Sequence, residues 1–95
     1  MIKLSVLYPE TEGATFDHEY YRDKHVPLCI STWGLAGAEI EKGINGPYVA
    51  AVHFRFDSLE AMGTQMGVPG TADVIADVAN YTTIQPVQQI SEVVD

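Results

Sequence analysis

Two of the chain's three histidines and two of its five tyrosines fall within residues 16–28, Phe-Asp-His-Glu-Tyr-Tyr-Arg-Asp-Lys-His-Val-Pro-Leu. An imidazole titrates near neutrality and can both take and give a proton, so His25 is the candidate general acid or base. On a helix, at about 100° per residue, Asp17, Tyr21, His25 and Leu28 share one stripe, and Phe16, Tyr20 and Lys24 form the next. Tyr21 thus lies one turn before His25, where its phenol can hydrogen-bond the imidazole or a ligand oxygen and help direct a proton transfer. Phe16, Tyr20 and Trp33 are candidates for the wall of a small substrate pocket, although aromatic residues at this spacing more often belong to an ordinary core. His25 also has a purely structural alternative, as a helix-end residue bonded to carbonyls that Pro27 leaves free.

The elements that position these groups follow from patterning. Residues 2–8 alternate as a half-buried strand, with Ile2, Leu4 and Val6 opposed to Lys3 and Ser5, and Pro9 ends it. After a polar loop, Asp17 suits a helix N-cap, and Phe16 can close on Tyr21 as a hydrophobic staple. Pro27 lacks the amide that would bond to the Asp23 carbonyl, so the helix must kink or stop near His25. If it kinks, it runs through Leu28, Ile30 and Trp33 to Gly34. Residues 35–41 alternate again, and the turn-rich 43–47 leads to the strongest strand, 48–56, making an antiparallel hairpin. Tyr48, Ala50, Val52, Phe54 and Phe56 line one side of that strand, with Val49, Ala51, His53 and Arg55 on the other. Asp57-Ser-Leu-Glu60 reads as a capping box led by Asp57, ahead of an apolar stripe of Leu59, Met62 and Met66. Residues 67–70 break that helix, 71–79 form a second short one, and 81–94 are extended, with Pro86 at a bulge or an edge.

The order strand-helix-strand-strand-helix-strand predicts an α+β, ferredoxin-like βαββαβ fold, a four-stranded antiparallel sheet with both helices on one face. Residues 1–95 leave room for a single domain. The other sheet face should be apolar or small, at Val49, Ala51 and Val87 or Val93, and covered by a second copy, giving a homodimer through sheet faces.

Charge and composition exclude much else. Thirteen acidic against five basic residues give a net charge of −8, which argues against nucleic acid or an anionic membrane as a partner. No segment has the pattern of a leader or the length of a membrane span, so a cytoplasmic protein is expected. Cys29 is the only cysteine, excluding an intramolecular disulfide and a cysteine-rich zinc site; it reads best as a small buried apolar residue. The histidines lack HxxxH or HxH spacing, so no metal is expected, although His25, His53 and carboxylates remain a possible set. Glycine-rich nucleotide loops and the G-x-S-x-G elbow are missing, and no cofactor is expected. His53 is either a ligand group or a polar contact at an interface.

Tyr8-Pro9, then Phe16-Asp17-x-x-Tyr20-Tyr21-x-x-x-His25-x-Pro27-Leu28, Phe56-Asp57-Ser58-Leu59-Glu60-Ala61 and Tyr81-x-x-x-Gln85-Pro86 together resemble the EthD family. That family is named for a component required in ethyl tert-butyl ether degradation and belongs to the dimeric α+β barrel superfamily. The resemblance implies a protomer that pairs sheet to sheet into a barrel, with a small pocket between helices and sheet. It also implies a function among those of the superfamily, whose monooxygenases, cyclases, decarboxylases and isomerases act on aromatic or polyketide-like molecules, often without metal or organic cofactor. Two function classes follow. One is a cofactor-independent enzyme, or an accessory subunit of a degradation or biosynthetic pathway, acting on a small hydrophobic or aromatic molecule. The other is a non-catalytic ligand-binding or structural dimer.

Overall fold

The alternation in the first strand sets the architecture. In a computed structural model describing residues 1–94, β1 (Ile2–Pro9) lies at the centre of a four-stranded sheet. It pairs antiparallel with β3 (Tyr48–Phe56) on one side and β4 (Val87–Glu92) on the other, while β2 (Glu39–Lys42) flanks β3, giving the order β2-β3-β1-β4. Residues opposite one another share a face because side chains alternate along a strand. Leu4 opposite Phe54, Val6 opposite Val52 and Tyr8 opposite Ala50 therefore point together into the core under the helices. Among the described residues no helix is long and apolar enough to cross a membrane.

The first helix, α1, spans residues 18–33 in three pieces. The Asp17 side chain caps it by accepting from the Tyr20 amide at 3.1 Å, and the Phe16 and Tyr21 rings meet edge to face at 5.0 Å. Residues Tyr21–His25 are a π-turn, with the Val26 amide reaching back five residues to the Tyr21 carbonyl. The helix then resumes as Val26–Trp33, with Pro27 in its first turn, where no partner for an amide is lost. The chain thus answers Pro27 by widening one turn rather than by stopping. Gly34 ends the helix in the left-handed conformation, at φ 65°.

Three expected boundaries differ. The second strand begins at Glu39 rather than Leu35, because Ala36 and Gly37 offer little to pack and pairing starts only where Glu39 meets His53. The helix α2 (Leu59–Met66) is capped by Ser58, not Asp57: Ser58 Oγ accepts from the Ala61 amide at 3.0 Å. Ser58 holds extended backbone immediately before the helix, as a capping residue must, whereas Asp57 is one residue too early. The final strand is only Val87–Glu92, after the short helix α3 (Thr71–Asp77) and a 3₁₀ turn, Val78–Asn80. Residues 81–86 turn inward instead, burying Tyr81, Thr82 and Ile84, and the Tyr81 carbonyl accepts from the Asp17 amide at 2.8 Å. In the β2–β3 hairpin a side chain at Gly43 would strike the Tyr48 carbonyl at 2.0 Å, so that turn closes only on glycine.

The open face of the sheet is less apolar than expected. Its register places Glu41, Ala51, Leu7 and Val87 in one row, then Glu39, His53, Ser5 and Gln89, then Arg55, Lys3 and Ser91. An apolar strip therefore borders a polar one.

Candidate functional site

The helices do not close completely on the sheet. A cavity of about 280 Å³ remains between them, walled by Val6, Tyr8, Val52 and Phe54 from the sheet and by Val74 and Val78 from the second helical segment. From α1 it receives Tyr21, His25, Cys29 and Trp33, the buried face of the helix that carries the π-turn. The widened turn leaves the Tyr21 and His25 rings stacked, 5.6 Å apart and 16° from parallel, and both line the same apolar space. Such turns recur where a helix must aim functional side chains.

His25 is 5% exposed, and its Nδ1 lies 2.9 Å from Asp77 Oδ2. The other carboxylate oxygen of Asp77 accepts from the Tyr20 hydroxyl at 2.7 Å and from the Asn80 amide at 2.9 Å. Burial raises the carboxyl pKa, but the bonds from Tyr20, Asn80 and His25 outweigh it and hold Asp77 below the usual carboxylate range. An ionised Asp77 can only accept, which puts the proton of neutral His25 on Nδ1 and leaves the Nε2 lone pair directed inward. Burial lowers the His25 pKa, partly countered by Asp77, so the neutral base is the resting form near pH 7. Nε2 sits 3.6 Å from the Cys29 sulfur. Burial pushes that thiol up to about 12, so Cys29 is an S–H donor to the imidazole and not a thiolate nucleophile.

Three phenols crowd beside the histidine. The Tyr8 and Tyr81 hydroxyls bond to each other at 2.6 Å, and the Tyr81 ring lies 4.5 Å from the imidazole. Tyr21, only 1% exposed, has a hydroxyl with no hydrogen-bond partner among the described residues. Burial first, and then the neighbouring Tyr8 phenol, push the Tyr21 pKa far above the ordinary phenol value. It stays a neutral donor.

The structure thus brings His25, Tyr21 and Trp33 to one cavity. Trp33 packs edge to face on Phe54 and donates Nε1–H to Thr71 Oγ1 at 2.8 Å. Phe16 and Tyr20 do not line it: Phe16 packs on the outer side of Tyr8, Tyr21 and Tyr81, and Tyr20 acts on the far side of Asp77. Asp77 is the residue that sequence reasoning missed. The carboxylate that shares a stripe with His25, Asp17, caps the helix instead, and no spacing rule joins residues 52 apart. Tyr8 and Tyr81 had a weak signal, as tyrosines at the end of one strand and the start of an extended run.

His53, on the open face, has a superficially similar environment. Its Nδ1 is 2.7 Å from Ser5 Oγ and its Nε2 is 2.8 Å from Glu41 Oε1. Glu39, Glu41 and His53 bring ligand atoms within 4.8 Å of one another, a grouping common among exposed acids without any ion.

No family model matches the chain, and no curated protein matches it. Solved structures do. A dimeric protein of unknown function with a ferredoxin-like fold from Bacteroides fragilis NCTC 9343 superposes with a TM-score of 0.64 at 13% identity, over 97% of this chain and 95% of that one. An ethyl tert-butyl ether degradation (EthD) family protein from Bacillus halodurans C-125 gives a TM-score of 0.78 at 20% identity, over 99% of each chain. At such identities the likeness speaks for the fold. An EthD-like protein from Ralstonia eutropha JMP134 is 45% identical, covering 99% of this chain and 92% of that one, with a TM-score of 0.89. With that identity sustained across nearly the full length of both, and the ferredoxin-like sheet in common, the chain belongs to the EthD-like family.

Proposed function

We propose that this protein binds a small hydrophobic or aromatic molecule in the cavity beneath α1 and carries out acid–base chemistry on it with His25. The observation that carries the proposal is the placement of one imidazole between an ionised carboxylate and an apolar cavity. Asp77 fixes the tautomer and stabilises the imidazolium that would form, and Nε2 is left to take a proton from the ligand and return it. The mostly apolar lining suits a hydrophobic molecule and would hold it beside the imidazole. An oxygenase-type reaction run without a cofactor would rest on a substrate whose deprotonated form itself reduces dioxygen.

The working form in this proposal is a homodimer through the open sheet faces. The strip of Ala51, Leu7 and Val87 supplies the apolar contact, and a fold relative from Bacteroides fragilis is dimeric. A stable pair would bury on the order of 1,600 Å² in total.

A non-catalytic ligand-binding role, as an accessory protein of a pathway, is favoured by a different observation. Cys29 lies where its S–H occupies His25 Nε2. The two readings separate in one experiment. Trp33 is the chain's only tryptophan and lines the cavity, so its fluorescence reports occupancy. Aromatic and polyketide-like compounds are titrated against the protein and against His25→Ala, and each bound compound is followed for conversion. Conversion that His25→Ala abolishes supports catalysis. Binding without conversion supports the accessory role, and no binding by any compound removes the cavity from the account.

A further inference from the structure

We infer that the molecule held in this cavity is a one- or two-ring ketone whose carbonyl oxygen is bound by the Tyr21 hydroxyl and whose α-carbon faces His25. This rests on the proposed function and narrows it to a substrate class.

The argument begins with an unpaired group. A buried hydroxyl without a partner is destabilising, and buried polar atoms in folded proteins are paired in the great majority. The Tyr21 hydroxyl is buried, lines the cavity and has no partner among the described residues. Its neighbour Tyr8 bonds to Tyr81 and lies near enough to shift the Tyr21 pKa, but that approach falls short of hydrogen-bond geometry. Phenylalanine would fill the same space without that cost, so the hydroxyl has its use when something else is in the cavity. It remains protonated, so what it offers a ligand is a hydrogen-bond donor.

A second donor lies beside it. In the Tyr8–Tyr81 pair either hydroxyl can donate, and when Tyr81 donates, the Tyr8 hydrogen is free to point into the cavity that Tyr8 lines. Two phenol donors with no charged group among them match an oxygen that accepts twice, as a carbonyl does. They bind an enolate oxygen more strongly still, because charge develops there. The one strong acceptor directed inward is His25 Nε2, a neutral base backed by Asp77; its contact with Cys29, a weak S–H donor at 3.6 Å, is one that a ligand proton can displace. Donors at an oxygen and a base beside them are the two requirements for taking a proton from the carbon next to a carbonyl. The C–H bond breaks, its proton passes to Nε2, and its electron pair becomes the enolate that the phenols hold. Return of the proton to carbon or oxygen closes the step with no oxidant or reductant.

Size sets the upper limit. An apolar cavity of about 150 Å³ holds benzene, so the cavity here, about 280 Å³, admits about two fused rings.

The test uses 2-tetralone and its hydrocarbon counterpart tetralin, with the wild-type protein and Tyr21→Phe. Binding is read from Trp33 fluorescence, and exchange of the ketone's α-hydrogens in D₂O is read by NMR. The inference expects 2-tetralone to bind more tightly than tetralin, and Tyr21→Phe to lose roughly three- to tenfold for the ketone and nothing for the hydrocarbon. Protein-accelerated α-exchange should fall in Tyr21→Phe and vanish in His25→Gln, with His25→Gln melting near the wild-type temperature and Tyr21→Phe above it. Equal loss for both ligands, or no loss for the ketone, overturns the assignment of Tyr21 and leaves the cavity as the binding site. Binding of 2-tetralone without accelerated exchange overturns the placement of its α-carbon at His25. Failure of both ligands to bind removes the proposed site, and this inference with it.

Discussion

The two faces of this sheet each carry a histidine bonded to a carboxylate, and the pairs are close to identical in length. His25 and Asp77 lie 2.9 Å apart on the helix side, and His53 and Glu41 lie 2.8 Å apart on the open side. What differs is everything around them. Asp77 is 14% exposed and tied by Tyr20 and Asn80, while Glu41 is 54% exposed and hydrogen-bonds only to His53 among the described residues. The far nitrogen of His25 meets only the weak S–H of Cys29 at 3.6 Å on the wall of an apolar cavity, while that of His53 is held by the Ser5 hydroxyl at 2.7 Å. A hydrogen-bond distance alone thus says little about chemistry. The environment decides whether a histidine–carboxylate pair is a poised base or a surface contact.

The largest expected effect lies in turnover. A general base contributes typically about 10²–10⁴-fold, so His25→Gln should remove that much activity on any substrate the cavity converts, while His53→Gln should leave kcat within about twofold. The two faces then exchange roles in assembly. Ala51→Arg places a charge in the apolar strip beside Leu7, and light scattering should show the dimer reduced to monomer with the helix-side cavity still binding. A monomer already present in the wild type at micromolar concentration would count against the sheet-to-sheet pair.

Stability should sort the carboxylates next. Asp77→Ala leaves three donors without their acceptor and should cost about 1–3 kcal/mol in urea unfolding, whereas Glu41→Ala, mostly solvated, should cost under about 1 kcal/mol. Equal costs would erase the distinction between the faces. Acid unfolding carries the same asymmetry. Since burial lowers the His25 pKa in the folded state, the unfolded chain takes up the proton first as pH falls. Its contribution is complete above the ordinary histidine value of about 6.5 and is lost as pH drops below it, at no more than about 1.4 kcal/mol per pH unit. His25→Gln should flatten that slope. Asp77, also held low, adds a second loss below the ordinary carboxylate value of about 3.9. The smallest effect concerns Tyr21: Tyr21→Phe should raise stability of the unliganded protein by about 1 kcal/mol, because it removes an unpaired buried hydroxyl.

How far these features could be read from the chain depends on their range along it. Asp17, the Phe16–Tyr21 staple and Gly34 are local, and the capping and period rules placed them correctly. Strand alternation placed both faces of β3 correctly, while the order of the strands is read from their pairing. Pro27 signalled a disturbed helix, but a kink, a stop and a π-turn all answer a missing amide, and packing of Tyr21 and His25 under α1 chose between them. Residues 81–86 read as strand because threonine and isoleucine favour extended backbone. Their burial under Phe16 and Tyr20 is a tertiary effect. Asp77 was out of reach for the same reason: its partners lie on α1, brought near by the crossover between them. Periodicity marked His25 as a residue worth attention, and only the fold supplied the carboxylate that gives it a chemical role.

The most direct test of that role is a ¹⁵N NMR titration of the histidine side chains, read with and without 2-tetralone. Our account expects His25 to carry its proton on Nδ1, to titrate below the ordinary histidine value, and to change at Nε2 when the ketone binds, with His53 unmoved. A His25 protonated on Nε2, or a ligand response confined to His53, would place the functional face on the other side of the sheet.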